Sequence, residues 1–425
     1  MSFVTLLLGA LSVARAAYGK DVFAHWMLDE AYSFVQSDWE SDMSTAQSIG
    51  IDGFVLNMNA NDYETDKLVD AYAAAESLNF KLFMSFDMSY TWSVTDMVNI
   101  VSAHASSSAQ YLWNGDVLVS TYSGDSGSTA TDSFWSGFKS DLASQGITIS
   151  LAPAFTTYRD PSLASSLLST YPSIDGFFNW WSWPADVLAN LTTDTDVAYH
   201  QAISARTGPY IMGVSPWQYK DTSDDQDWVE YSDTLWNYRW QQAIDIQPDI
   251  VEIITWNDYG ESHYIADVLS NINIGTITYV DGQDHAPWRD VAEYYISWYK
   301  NGVQPTITED KVVFWYRKNP KAAVCTGGTT SAPRNANFPG DSVFALAMVA
   351  SDATISLDIG SSHAEFSASG NAVTMGSVPF PTEDNQIPYI QIIRNGATVK
   401  DGYGSVEVSQ SCTDYNFNPF VGIVE

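Results

Sequence analysis

The sequence predicts an α/β protein, a (β/α)8 barrel of the TIM type followed by an all-β sandwich, and three observations carry that prediction. Short apolar runs bounded by turn residues recur about every 30–40 residues, the length of one strand–helix unit. Eight such runs are counted before residue 305, with helical patterns between them. Beyond about Pro305 the helical period disappears, and the runs become short, alternating and closely spaced. With 425 residues and 45% apolar content, the chain can bury a sizeable core and form more than one domain.

In chain order, residues 3–13 are apolar or small, and Ala14-Arg15-Ala16 carries the small-x-small pattern of a secretory cleavage site. Residues 1–16 therefore read as a signal peptide on a secreted protein, being too short to span a bilayer. The eight runs are 22–27, 53–58, 81–88, 116–122, 147–155, 176–183, 210–217 and 250–257. After the first, Ser37-Asp38-Trp39-Glu40 reads as a capping box. Trp39, Met43 and Ala46 then share a helix face that Gly50 ends. A second clear helix spans 194–208. Residues 17–305 form the barrel, and 306–425 the sandwich, with strands expected at 312–316, 342–349, 354–359, 364–368, 373–378, 390–393 and 405–408.

Composition narrows the function. A net charge of -33, from 51 acidic against 18 basic side chains, repels phosphate backbones and anionic membranes. A neutral polysaccharide meets no such repulsion, and 16 Trp, 24 Tyr and 19 Phe provide flat rings that stack on sugars. From Thr306 onward the balance is mild, 12 acidic against 7 basic, and only Trp315 of the tryptophans falls there. That argues for a packed structural companion over a sugar-binding module built on Trp. Cys325 and Cys412, the only cysteines, form one disulfide or remain two buried thiols; an oxidising compartment favours the bridge. Asn190-Leu191-Thr192 is the single N-glycosylation acceptor. No metal-ligand spacing and no Gly-rich phosphate loop occurs, so no cofactor is expected. A monomer is assumed.

Polar and aromatic residues collect where the strands end: His25, Asn57, Asp87, Tyr122 with Asp125 beyond it, Trp180, Trp181 and Trp183, Trp217, then Trp256 and Asn257. The carboxyl ends of barrel strands converge on one mouth, so these residues could line a single acidic, aromatic cleft. The most informative stretch follows the eighth run: Thr255-Trp256-Asn257-Asp258-Tyr259-Gly260-Glu261-Ser262-His263. Asp258 and Glu261 form a carboxylate pair, which breaking a glycosidic bond requires, with Tyr259 and His263 beside it. Residues i and i+3 of an extended strand point to opposite faces. Both carboxylates reach one bond only if Tyr259-Gly260 turns.

These segments resemble glycoside hydrolase family 71, the fungal α-1,3-glucanases or mutanases. The resemblance runs from Val22-Phe23-Ala24-His25 and Ser37-Asp38-Trp39-Glu40 through Gly50-Ile51-Asp52-Gly53-Phe54 and residues 81–88. It continues at Val214-Ser215-Pro216-Trp217 and Arg239-Trp240-Gln241-Gln242, and ends in residues 253–265. It implies a secreted, endo-acting, inverting hydrolase of α-1,3-glucan, whose acidic pair corresponds to Asp258 and Glu261. Partly by analogy with a related family, Glu261 is assigned as general acid and Asp258 as general base. Where the family carries Phe and Glu after the fourth strand, this chain has Thr121-Tyr122-Ser123-Gly124; Asp125 could compensate. A hydrolase of another α-linked glycan and a non-catalytic wall-glucan-binding protein are the alternatives.

Overall fold

The computed structural model describes residues 20–425 apart from 224–225, 271, 273–276 and 328–330. The expected signal peptide, 1–16, lies outside the described residues. Eight parallel strands form at the expected runs: Asp21–Met27, Gly53–Met58, Lys81–Asp87, Asp116–Tyr122, Ile149–Ala154, Phe177–Asn179, Tyr210–Val214 and Ile250–Ile253. Strands consecutive in sequence pair side by side, and the first pairs with the eighth from Asp21↔Ile250 to Ala24↔Ile253. Between the fifth and sixth, no ladder forms among the described residues. That seam is crossed by the N–H groups of Asp175 and Gly176, which donate to the Leu151 carbonyl at 2.9 and 3.0 Å. The result is a curled parallel sheet.

Both faces of the sheet are buried, which explains why its strands read as nearly unbroken apolar runs. Phe23, Val55, Phe83, Leu118, Ala152, Phe178, Ile211 and Ile250 fill the inside of the curl. Their neighbours Val22, Phe54, Leu82 and Val251 face the surrounding helices. The first helix, Gln36–Ser48, begins earlier than the expected capping box. Asp38, not Ser37, makes the cap: its carboxylate accepts the Val35 N–H at 2.9 Å. Phe34 packs against Trp39 across the helix start, a hydrophobic staple that sets the frame. Trp39, Met43 and Ala46 are buried as expected, and the second clear helix runs Asp194–Ile203.

Three strands end three or four residues short of their apolar runs. The sixth stops at Asn179, whose side chain accepts the Trp181 N–H and so competes with the ladder. The seventh stops at Val214, two residues before Pro216, which has no N–H to give. The eighth stops at Ile253, and the Thr255 N–H turns to the His263 carbonyl.

The C-terminal region forms two four-stranded antiparallel sheets. One is ordered Val373–Pro379, Ser342–Met348, Lys311–Tyr316, Phe420–Val424; the other Ser362–Ala368, Ala353–Ile359, Tyr389–Arg394, Ala397–Tyr403. Val312, Phe314, Tyr316, Val343, Ile355, Leu357 and Ile390 form the core they share. The first sheet is buried on its other face too, where Val313, Trp315, Leu346 and Met348 join the core of the curled sheet. The strand expected at 405–408 is absent; Val408 makes only an isolated bridge to Gln386. Ala397–Tyr403 takes the edge instead, hidden from an apolar-run search because most of its residues face solvent. Cys325 and Cys412 are bonded across a separation of 87 residues.

Candidate active site

The loop after the eighth strand folds on itself through its own side chains. The Asp258 N–H donates to Thr255 Oγ1 at 2.7 Å, and the Glu261 N–H donates to Asp258 Oδ1 at 2.8 Å. This turn brings both carboxylates to the same side, which an extended strand could not do. His263 Nδ1 contacts Thr255 Oγ1 at 3.1 Å; its Nε2 faces Glu261 Oε2 at 3.3 Å and Asp258 Oδ2 at 3.8 Å. The imidazole is wholly buried and stacks on Trp183.

Two residues that the sequence reading did not single out complete this group. Lys220 Nζ lies 3.0 Å from Glu261 Oε1, and Gln218 Nε2 donates to Glu261 Oε2 at 2.9 Å. Burial alone would raise the Glu261 carboxyl. The bond from His263, the Lys220 cation, the His263 charge and Gln218 overcome it and hold Glu261 well below the usual range. Asp258 is raised, by burial first and by the Glu261 charge against His263 and Lys220. The two groups titrate together, so the proton belongs to the pair. The shifts run in opposite directions, Asp258 up and Glu261 down. The asymmetry comes from the His263 bond and then the Lys220 ammonium at Glu261, contacts that the carboxylate spacing alone could not reveal.

Among the described residues, Asp258, Glu261 and His263 are the group whose donor atoms, all within 4.8 Å of one another, could share a metal ion. Lys220 already supplies positive charge there, so we read them as a proton-transfer set.

A family model described as Glycosyl hydrolase family 71 matches residues 18–425. The chain belongs to that family. It is a glycoside hydrolase. It is 35% identical to a protein named glucan endo-1,3-alpha-glucosidase agn1 of Schizosaccharomyces pombe, over 99% of this chain and 98% of the relative. A mutanase of Penicillium rubens is 35% identical over 95% of this chain and 88% of its own. An ascus wall endo-1,3-alpha-glucanase of Schizosaccharomyces pombe is 30% identical over 96% and 98%. A solved GH99 endo-alpha-mannosidase of Bacteroides thetaiotaomicron shares the fold, with a TM-score of 0.51 and 13% identity over 66% of this chain and 97% of its own.

In this family 71 hydrolase the remaining candidates divide into cleft and scaffold. Asp87 is half-buried and raised, chiefly by burial; Ser89 and His25 oppose the shift, and the Glu261 charge adds to it. Tyr122 and Trp180 meet edge to face at 4.8 Å, and Trp180 meets the His25 ring at 5.0 Å. Tyr122 is raised by burial and then by the charges of Glu261, Asp87 and Asp258, so it faces the pair. Trp181 is half-buried beneath the Arg159 guanidinium. His25 is fully buried inside the curl, its Nδ1 2.6 Å from Glu252 Oε1, while His25 Nε2 has no protein partner.

Six further candidates are engaged in local hydrogen bonds. Asn257 is buried and ties both the N–H and the carbonyl of Met27. Trp256 points outward, its Nε1 donating to Asp42 at 3.0 Å. The Tyr259 hydroxyl donates to the Asp267 carbonyl, and Trp217 Nε1 donates to the Phe417 carbonyl. Asn57 is buried and donates to Asn59 Oδ1. Asp125 Oδ2 binds the Thr157 N–H and hydroxyl, which holds the loop after the fifth strand. Trp183 is buried too, yet serves the site by backing His263. Asn190 lies exposed in the loop before Asp194–Ile203.

Glu252, the lone charge within Ile250-Val251-Glu252-Ile253-Ile254, turns inward to His25. Asp29, adjoining the mouth, is pushed up to about 7 by burial, then by Asp258 and Glu64. Glu230 reaches about 8, through burial and then the charges of Asp186 and Glu261 acting against Arg159. Burial takes Asp42 and Asp233 to about 6 each.

Between about pH 4 and 8 the unfolded chain has released these protons while the folded protein still holds them, so stability falls as pH rises. The melting temperature should be lower at pH 8.5 than at pH 5. Asp29→Asn should flatten that slope, which separates the buried carboxyl from general charge repulsion. A slope that is flat in the parent, or unchanged in the variant, would contradict this.

Proposed function

We propose that this hydrolase cleaves α-1,3-glucosidic bonds of α-1,3-glucan in an endo fashion and with inversion. The observation that carries the reading is the Asp258–Glu261 pair, clamped by Lys220, Gln218 and His263 in the loop after the eighth strand. Relatives at 35% identity over nearly the whole chain, named for α-1,3-glucan cleavage, support the substrate. We also read the described seam as part of a (β/α)8 barrel, residues 17–305 and 306–425 as two units, and residues 1–16 as removed on secretion.

The pair donates its shared proton to the glucosidic oxygen. Both Glu261 oxygens are engaged, so Glu261 is poorly placed to attack the anomeric carbon. The pair's oxygens are also close, whereas an inverting pair typically stands roughly 6.5–9.5 Å apart to seat its water. We therefore assign water activation to Asp87, three strands round the mouth, which feels the Glu261 charge. Tyr122 and Trp180 give the sugar an apolar wall, with His25 Nε2 beneath.

Reducing-sugar release should be confined to α-1,3-glucan within a panel of α-1,3-, α-1,4- and β-1,3-glucan and α-mannan. Proton NMR of an early digest, before mutarotation, should show the β anomer first. Release from α-mannan alone would overturn the substrate, no release from any polymer would favour a binding protein, and an α anomer first would overturn inversion.

A further inference from the structure

The hairpin Tyr219–Ser223 and Gln226–Val229 follows the seventh strand and reaches the acidic pair. Its first strand is tied to the pair's loop by the Tyr219 N–H, which donates to the Glu261 carbonyl at 3.1 Å. Lys220 then meets Glu261 Oε1, and Gln218 meets Oε2, so one short segment grips the carboxylate at both oxygens and its backbone. On its other side, Lys220 Nζ lies 5.3 Å from the centre of the Trp228 ring.

The same ring carries a second cation from far along the chain. Arg334, from the C-terminal region, sits 5.5 Å from the Trp228 centroid. Its N–H donates to the Asp227 carbonyl, and its own carbonyl accepts the Val229 N–H. Arg334 Nε and Asn335 Nδ2 both reach Asp186 Oδ1, in the loop after the sixth strand. Farther down, the Tyr219 hydroxyl donates to the Tyr415 carbonyl at 3.2 Å. The C-terminal region thus braces the hairpin from two points.

We propose that Lys220 is a positioning residue for the acidic pair, and that the C-terminal region holds it in place through Arg334 and Trp228. This rests on the reading of Asp258 and Glu261 as the proton-transfer pair. The ammonium fixes the Glu261 side chain and gives it a charge-assisted partner in a partly desolvated mouth, where such a bond is stronger than in water. Without it, Glu261 Oε1 loses its partner while Gln218 and His263 hold only Oε2, and the two carboxyls compete for the proton. The groups facing Glu261 are Asp258 and His263 from its own loop, Lys220, Gln218 and Glu230 from the hairpin segment, Asp87 and Tyr122 from the third and fourth strands, and Tyr279 from Ile277–Val280. Only Lys220 among them is a permanent cation at working pH, so its removal has no substitute.

The test is steady-state kinetics of the full chain on a soluble α-1,3-gluco-oligosaccharide across pH, for Lys220→Met, Lys220→Arg, Arg334→Ala and the reference Glu261→Gln. Lys220→Met should lower kcat roughly 10–100-fold with KM within about threefold, and move the kcat/KM profile upward by about one pH unit, because both carboxyls lose a cation. Lys220→Arg should restore most of kcat and the profile's position. Arg334→Ala, distant from the pair, should move the profile the same way by less. A Lys220→Met enzyme with parental kcat and profile, beside an inactive Glu261→Gln, would overturn the clamp and leave the pair standing. A rise in KM alone would make Lys220 a substrate grip and overturn it equally. Near-parental Glu261→Gln activity would remove the pair, and the clamp with it.

Discussion

Replacing Asp258 by Asn or Glu261 by Gln should lower turnover on α-1,3-glucan by several orders of magnitude, with the folded state intact. Each change keeps the side-chain size and removes a titrating oxygen. Positioned acid–base groups contribute ~10²–10⁴-fold each, and more when they act as one unit. The shared proton makes them such a unit: with Gln at 261, Asp258 loses the Glu261 charge that favours its protonated form, so it ionises more readily and donates less well. With Asn at 258, Glu261 stays ionised on Lys220 and holds no proton to give. A substrate whose leaving group needs no protonation, such as α-glucosyl fluoride, separates the roles. Donor variants should lose far less activity on it than on polymer, whereas Asp87→Asn should lose on both, since water must be activated either way. Activity within threefold of the parent on polymer would remove the altered residue from the mechanism.

The parts of this molecule that were legible in the sequence are those in which local pattern and final environment agree. The eight parallel strands are buried on both faces, so each shows as an apolar run whatever its partner, and the pair's loop carries its chemistry in consecutive residues. What stayed hidden depends on contacts between distant segments. Trp256 and Trp183 look alike as aromatics near a strand end. Only the packing shows that one reaches out to Asp42 and the other backs His263. Lys220 is one of 18 basic residues, and nothing around it in sequence announces that it meets Glu261, 41 positions later. The first helix shows the same thing on a small scale. Ser37-Asp38-Trp39-Glu40 fits a capping pattern, but the staple between Phe34 and Trp39 selects a frame two residues earlier.

Ending the chain at residue 305 should abolish soluble, folded protein. Sequence composition pointed to a structural companion because only one Trp falls there, and Trp315 proves to be turned toward the curled sheet, its Nε1 donating to the Asp233 carbonyl at 3.0 Å. Around it, Val313, Leu346, Met348, Phe417 and Val421 share one core with the helices and strands of the first 300 residues. Their loss would expose a contiguous apolar face, a site of aggregation. Polar partners go with them. Trp217 loses the Phe417 carbonyl, His285 loses the Pro419 carbonyl, and Tyr264 and Tyr279 lose their bonds to Asn418. Each buried group left unpaired costs about 1–3 kcal/mol, against a total stability of about 5–15 kcal/mol for a typical domain. A few such losses are enough. The point variant Trp315→Ala keeps the chain complete and should cost about 3–5 kcal/mol through the cavity it opens, measured by denaturant melts of the full chain. A soluble 17–305 protein that melts cooperatively and cleaves glucan would show that the two regions are separable. It would also show that the hairpin bearing Lys220 keeps its position without the brace from Arg334 and Tyr415.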